Sequence, residues 1–161
     1  MIKFFCLIFI SQALNAQNFT FSLEKSKIGI KAKPKYDTVS SVIINSNNVK
    51  HNYRIKITAR NDTKKDITAI ILRYSFKLTL KKHEKIIQTI SLYSSGLRIS
   101  EIKAGKEKVV FIYELKNVFD QLKRFLESGY EPLDLVVDIM KEPKRNEDFV
   151  SYSVAFPLKV D

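Results

Sequence analysis

Apolar and polar residues alternate strictly along much of this chain, the period of strands with one face in a core and the other in water. From Tyr53 to Ala59, Tyr53, Ile55, Ile57 and Ala59 fall on one face, while Arg54, Lys56, Thr58 and Arg60 fall on the other. Leu72, Tyr74, Phe76, Leu78 and Leu80 likewise share a face, opposed by Arg73, Ser75, Lys77 and Thr79. Between these runs lies Asn61-Asp62-Thr63-Lys64-Lys65-Asp66, a polar turn in which Asn and Asp tolerate left-handed conformations and bond to nearby backbone. The two strands are therefore expected to pair antiparallel across it. Similar patterning predicts strands over Phe19–Ile30, Ser41–Ile44, Lys85–Leu92, Val109–Leu115, Leu133–Met140 and Val150–Val160. In the last of these, Pro157 has no N–H to give to a ladder, which places it at a sheet edge or an unpaired position.

One segment departs from period two. Over Asn117–Ser128 the apolar residues Val118, Leu122, Phe125 and Leu126 recur at helical spacing, with Asn117 as a candidate N-cap and Gly129 as a C-terminal stop. The helix face could dock a partner, but closing one open end of the core is the better reading. Seven or eight short strands joined by polar turns, with one short helix, argue for a mainly β fold, a two-sheet sandwich, with a barrel as the alternative.

The first sixteen residues stand apart from this pattern. Lys3, the apolar run Phe4 to Ile10, and a short polar stretch ending at Ala16 have the three-part form of a cleavable secretory leader. The run is too short to span a bilayer, which takes about 20 apolar residues. The expected organisation is a signal peptide over residues 1–16 and a single domain over residues 17–161, exported to a periplasm or the cell exterior. The one cysteine, Cys6, lies inside the leader, so the exported product has no thiol for a disulfide, a metal or nucleophilic attack.

Loss of Lys3 with the leader takes the formal charge from +11 to +10. Such a field attracts anionic partners, whether acidic glycan, lipid headgroup or nucleic acid. Export argues against nucleic acid. Lysine far outnumbers arginine, however, and the codon usage of an AT-rich genome produces the same imbalance on a solvated surface without any binding role.

The run Asn61-Asp-Thr-Lys-Lys-Asp-Ile-Thr-Ala-Ile-Ile-Leu-Arg-Tyr-Ser-Phe76, followed by Ile102-Lys-Ala-Gly105, resembles the immunoglobulin-like domains of exported bacterial proteins, including the FxLYD type. The shared theme is a strand, an Asn-Thr turn, a strand with an aromatic residue near its end, and a later Ala-Gly or Pro-Gly turn. It covers about a third of the chain. Ala104 stands where proline is usual in that theme, and the helix is an addition to it. The resemblance implies an immunoglobulin-like two-sheet antiparallel sandwich, and a non-catalytic domain.

Candidate chemistry is sparse. His51 and His83 are the only histidines, and both fall in polar loops with no cysteine or second histidine at ligand spacing, so no metal or cofactor is expected. Asp134 and Asp138 share a strand face about 13 Å apart, too far to work as an acid and base pair. No nucleophile elbow or glycine-rich phosphate loop occurs, and the reading is against an enzyme, with a periplasmic hydrolase of unusual site as the distant rival. Asn18-Phe-Thr20 and Asn61-Asp-Thr63 match a glycosylation sequon, which matters only in a eukaryote. The sharpest basic pattern is Lys25, Lys27, Lys31, Lys33 and Lys35. In one extended strand these would form a ladder of ammonium groups about 6.6 Å apart, able to follow an anionic glycan or a lipid surface. Lysine on an edge strand also discourages unwanted strand pairing, so edge protection is the competing reading.

Overall fold

The computed structural model describes residues 17–27, 34–44, 53–113 and 115–160, which form nine strands and one helix; eight of the strands fall on the expected segments, the strand over Lys35–Val39 is an addition to them, and Leu115, expected at the end of a strand, starts the helix. In chain order these are β1 (Gln17–Lys27), β2 (Lys35–Val39), β3 (Val42–Ile44), β4 (Tyr53–Asn61), β5 (Ile70–Lys82), β6 (Lys85–Ile99), β7 (Glu107–Ile112), α1 (Leu115–Glu127), β8 (Glu131–Lys141) and β9 (Val150–Val160). Two sheets result, a four-stranded one ordered β2-β1-β4-β7 and a five-stranded one ordered β3-β9-β8-β5-β6. The orders β1-β4-β7 and β9-β8-β5-β6 are those of the A-B-E and G-F-C-C′ strands of an immunoglobulin-like sandwich. The expected fold class is the observed one, and two separate sheets exclude the barrel.

The inward rows meet to form one core. Leu23, Ile55, Ile57 and Ile112 come from the four-stranded sheet, and Leu72, Phe76, Leu78, Leu135 and Val137 from the five-stranded sheet, all buried. Helix α1 closes one end through Leu115, Val118, Phe119 and Leu122, and Phe119 meets Tyr53 with ring centroids 5.7 Å apart. The helix starts at Leu115, two residues ahead of the proposed Asn117 cap, because Leu115 extends the buried stripe by another turn. Its end follows the expectation. Gly129 takes a φ of 77°, its N–H donates to Leu126 O, and the Tyr130 N–H donates to Phe125 O. Phe125 and Tyr130 then pack edge to face, completing a Schellman cap.

The strand pairing across Asn61–Asp66 is not the expected one. β4 pairs with β1 and β7, while β5 pairs with β6 and β8, so the turn carries the chain from one sheet to the other. Side by side in one sheet, two apolar faces would lie in the same plane; on opposite sheets they bury each other. The crossing is held by reciprocal hydrogen bonds of 2.9 Å between Ile67 and Ile102. A second departure is that β3 pairs parallel with β9, after only Ser40 and Ser41 separate it from β2 in the other sheet. Pro157 is the register partner of Asp134 in β8 and lies just ahead of the stretch of β9 that β3 covers, Leu158–Val160, so it is unpaired on the β3 side alone.

Near the other end of the sandwich, Lys141 is only 4% exposed and sits 2.8 Å from Glu147. That ion pair, opposed by burial and aided by the Lys144 N–H, holds the Glu147 carboxyl below its ordinary range. A folded-state pKa below the unfolded one gives stability that is complete above the ordinary carboxylate value and is lost as pH falls through the folded value. The melting temperature should therefore fall with acidification below about pH 5, and Glu147→Gln should start lower at neutral pH and show a shallower acid decline. Parallel melting curves for the two proteins between neutrality and about pH 3 would remove Glu147 from the acid response.

Candidate binding surface

The basic ladder does not run along one strand. Lys25 and Lys27 end β1, and Lys35 begins β2, which pairs antiparallel with β1 and sets Lys35 opposite Lys27 and Asp37 opposite Lys25. Lys31 and Lys33 lie outside the described residues. The chain therefore reverses between Lys27 and Lys35, bringing two of the five lysines to one register position. Lys25 shares the phase of Phe19, Phe21 and Leu23, the inward row, and its ammonium lies 5.6 Å from the centre of the Tyr53 ring. It is thus drawn toward the end of the core and away from an outward ladder.

The outer face of the four-stranded sheet is closed by a different cluster. Arg54 Nε and Nη2 each lie 2.7 Å from Glu24 Oε2, and the guanidinium is sandwiched between Tyr36 at 3.4 Å and Phe111 at 3.8 Å from the ring centres. These residues come from four strands. The arrangement ties the short edge strand β2 to the sheet, with the Arg54 and Glu24 side chains only 16% and 10% exposed.

Among the described residues, the outer face of the five-stranded sheet is open. Register sets Ser94, Ser75, Asp138 and Ser153 in one row across β6, β5, β8 and β9, and Gly96, Arg73, Met140 and Ser151 in the next. Small side chains in these rows leave an open depression of about 780 Å³, with Arg73, Asp138 and Met140 in its lining and Phe149 at its rim, 64% exposed. Arg73 lies beside Gly96, where a Cβ would stand 3.4 Å from Arg73 Nη1, an ordinary contact. Arg73 donates from Nε to Glu142, which fixes its direction across the face.

Asp138 organises the row. Lys77 forms an ion pair with it, and the Ser153 hydroxyl donates to Oδ1 over 2.7 Å. Burial pulls its carboxyl upward, but these two partners outweigh burial and hold it below its ordinary value. At neutral pH it is an ionised acceptor with its charge matched by Lys77, suited to hold a ligand donor and unsuited to exchange protons. Asp134, its same-face neighbour, lies opposite Pro157, further along β8. His83 sits in the exposed turn between β5 and β6, while His51 lies outside the described residues. No group of three or more His, Cys, Asp or Glu side chains converges among the described residues. Asn61 of the second sequon is fully buried, whereas Asn18 is exposed and donates to Asp62.

The serine row was the feature least visible in the sequence, since Ser75, Ser94 and Ser153 are separated by long stretches of chain. A trace exists in β9, where the outward phase reads Ser151, Ser153, Ala155, all small. Compared with known protein families and with curated proteins, the chain matches no family model and no curated sequence. No helix among the described residues is long and apolar enough to cross a membrane.

Proposed function

We propose that this chain is an exported, non-catalytic binding domain that takes a glycan strand across the outer face of its five-stranded sheet. The observation that carries the reading is the depression over β9, β8, β5 and β6, where hydroxyls, an ionised carboxylate and the Arg73 guanidinium stand beside an exposed phenyl ring. Sugar hydroxyls donate to a carboxylate and accept from guanidinium or serine, while the C–H face of a sugar ring stacks on an aromatic side chain. A few placed polar groups beside one apolar anchor is the usual make-up of a ligand site. The formal charge of +10 left once Lys3 departs with the leader, from +11 for the full chain, biases encounter toward acidic glycans. The secretory form of residues 1–16 and the resemblance to exported immunoglobulin-like domains support export and the absence of catalysis.

A second reading, electrostatic capture of anionic glycan or lipid headgroups by Lys25, Lys27, Lys31, Lys33 and Lys35, is favoured by the cross-strand placement of Lys27 and Lys35. One experiment separates the two. The protein is tested against arrays of neutral and acidic glycans and anionic vesicles at low and physiological salt, alongside Phe149→Ala, Asp138→Asn and Lys27→Ser/Lys35→Ser variants. Selective glycan binding that persists at physiological salt and weakens roughly tenfold in the Phe149 and Asp138 variants, a change of about 1.4 kcal/mol, supports the sheet-face site. Binding lost only with the lysines, and screened by salt, supports the second reading. Unchanged binding in all three variants, or none to any glycan, sinks the sheet-face assignment.

A further inference from the structure

The chain carries 28 Lys and Arg residues against 17 Asp and Glu, an excess of cations that the depression on the five-stranded sheet does not share. Among the described residues its lining holds one cation, Arg73, one anion, Asp138, and no lysine. Each of the two already has a counterion. Lys77 neutralises Asp138 from the neighbouring strand, and Glu142 accepts from Arg73 Nε. These four charges sum to zero within the reach of a bound sugar, since outward residues two apart along a strand stand about 6.8 Å from one another. Arg98, the next cation along β6, is two residues beyond Gly96 and outside the lining. The other polar side chains on this face are hydroxyls. Ser153 is engaged by Asp138, whereas among the described residues no hydrogen bond occupies the hydroxyls of Ser75, Ser94 or Ser151.

We infer that the depression takes an uncharged, hydroxyl-rich sugar and discriminates against carboxylated ones, an inference that rests on the sheet-face reading and names its ligand class. A hydroxyl both donates and accepts, so serine and sugar hydroxyls can trade bonds in either sense, while a carboxylate only accepts. A neutral sugar can donate to Asp138, accept from the remaining N–H groups of Arg73 and leave both ion pairs intact. A uronate forked onto the outer N–H groups of Arg73 would set its charge beside that of Glu142 on the same guanidinium, with Asp138 as a further anion on the same face. The surplus lysines elsewhere do not reverse this preference. At physiological ionic strength exposed charges are screened over about 8 Å, so they act on encounter, and the groups in contact decide which sugar stays.

The test is calorimetric titration of the protein produced from the full chain with neutral hexose oligosaccharides of several linkages, each beside the same oligosaccharide oxidised at C6 to its uronate. Phe149→Ala reports whether a bound sugar sits in the depression, and it leaves the charges alone. The neutral member of a pair is expected to bind about tenfold more tightly than its uronate, with an affinity that changes less than about twofold between low and physiological salt. Glu142→Gln removes one anion and leaves Arg73 uncompensated, so the ratio should narrow by about threefold or more, chiefly through tighter uronate binding. Retention of the neutral sugar by that variant shows that it is folded. A uronate bound as tightly as its neutral partner, with both lost in Phe149→Ala, overturns the inference and leaves the sheet-face site standing. An unchanged ratio in Glu142→Gln overturns it too, because the charge pairing would then not set the preference. Binding of no glycan, or binding untouched by Phe149→Ala, overturns the sheet-face reading itself and this inference with it.

Discussion

Replacing Asn61 with alanine is expected to lower the free energy of unfolding by about 1–3 kcal/mol, read as a shift of the urea midpoint at unchanged slope. Asn61 is fully buried at the end of β4, and both ends of its amide are in use. Nδ2 donates to Lys65 O at 2.8 Å and Ile102 O at 3.0 Å, while Oδ1 accepts from the Thr63 N–H at 2.9 Å and the Thr63 hydroxyl at 2.7 Å. Its own N–H donates to Lys106 O at 2.9 Å. One side chain thus binds the turn that leaves the four-stranded sheet to the segment around Ile102 that returns to it. Alanine leaves the Thr63 N–H without its partner, at roughly 1–3 kcal/mol where water cannot reach, whereas Ile102 O keeps the Ile67 N–H and Lys65 O keeps the Thr63 hydroxyl. The exposed part of the turn recovers some of that through solvent, hence the range given. Asn61→Asp should be no milder, since a carboxylate cannot donate and would face two carbonyl oxygens. A midpoint within error of wild type for Asn61→Ala would show that the crossing is held by the Ile67–Ile102 bridge alone.

The second large effect belongs to Arg54. Arg54→Ala should cost about 2–4 kcal/mol, because it leaves the Glu24 carboxylate buried without its cation and empties the space between Tyr36 and Phe111. Full burial would put the figure at the top of the handful of kcal/mol typical of a broken interior pair; the residual exposure reduces it. Arg54→Lys is the sharper comparison. It keeps the charge but loses the flat, forked group that stacks on two rings while bonding a carboxylate, so most of the loss should remain. Hydrogen exchange should show where the loss falls, with the amides of β2 opening first, since Tyr36 is the anchor of that strand in the cluster. Equal stability for arginine and lysine at this position would mean that net charge alone holds β2.

How much of this was legible beforehand depends on the range over which each signal acts. The strands around Tyr53, Leu72, Leu133 and Val150 were readable because side-chain alternation is a local property of the backbone. Helix α1 and its glycine stop were readable for the same reason, the Leu115 start being missed by two residues because a buried leucine outweighed a plausible cap. Pairing was less legible. Asn61–Asp66 has the chemistry of a hairpin turn and serves as a bridge between sheets, because turn residues specify a change of direction and the burial of two apolar faces decides where the next strand goes. The lysines around Lys31 suggested one extended ladder on the same local grounds, and β2 folding back on β1 replaced it with a cross-strand arrangement.

By itself the sequence determined the elements other than β2, the faces they bury, the single core and the basic surface, since periodicity and charge are carried residue by residue. Tertiary structure alone decided which strands share a sheet, that Glu24, Tyr36, Arg54 and Phe111 meet on one face, and that Ser94, Ser75, Asp138 and Ser153 line up on the other. Those groupings join residues far apart in the chain, and they follow from register, which forms only when two apolar faces close on one another and exclude water.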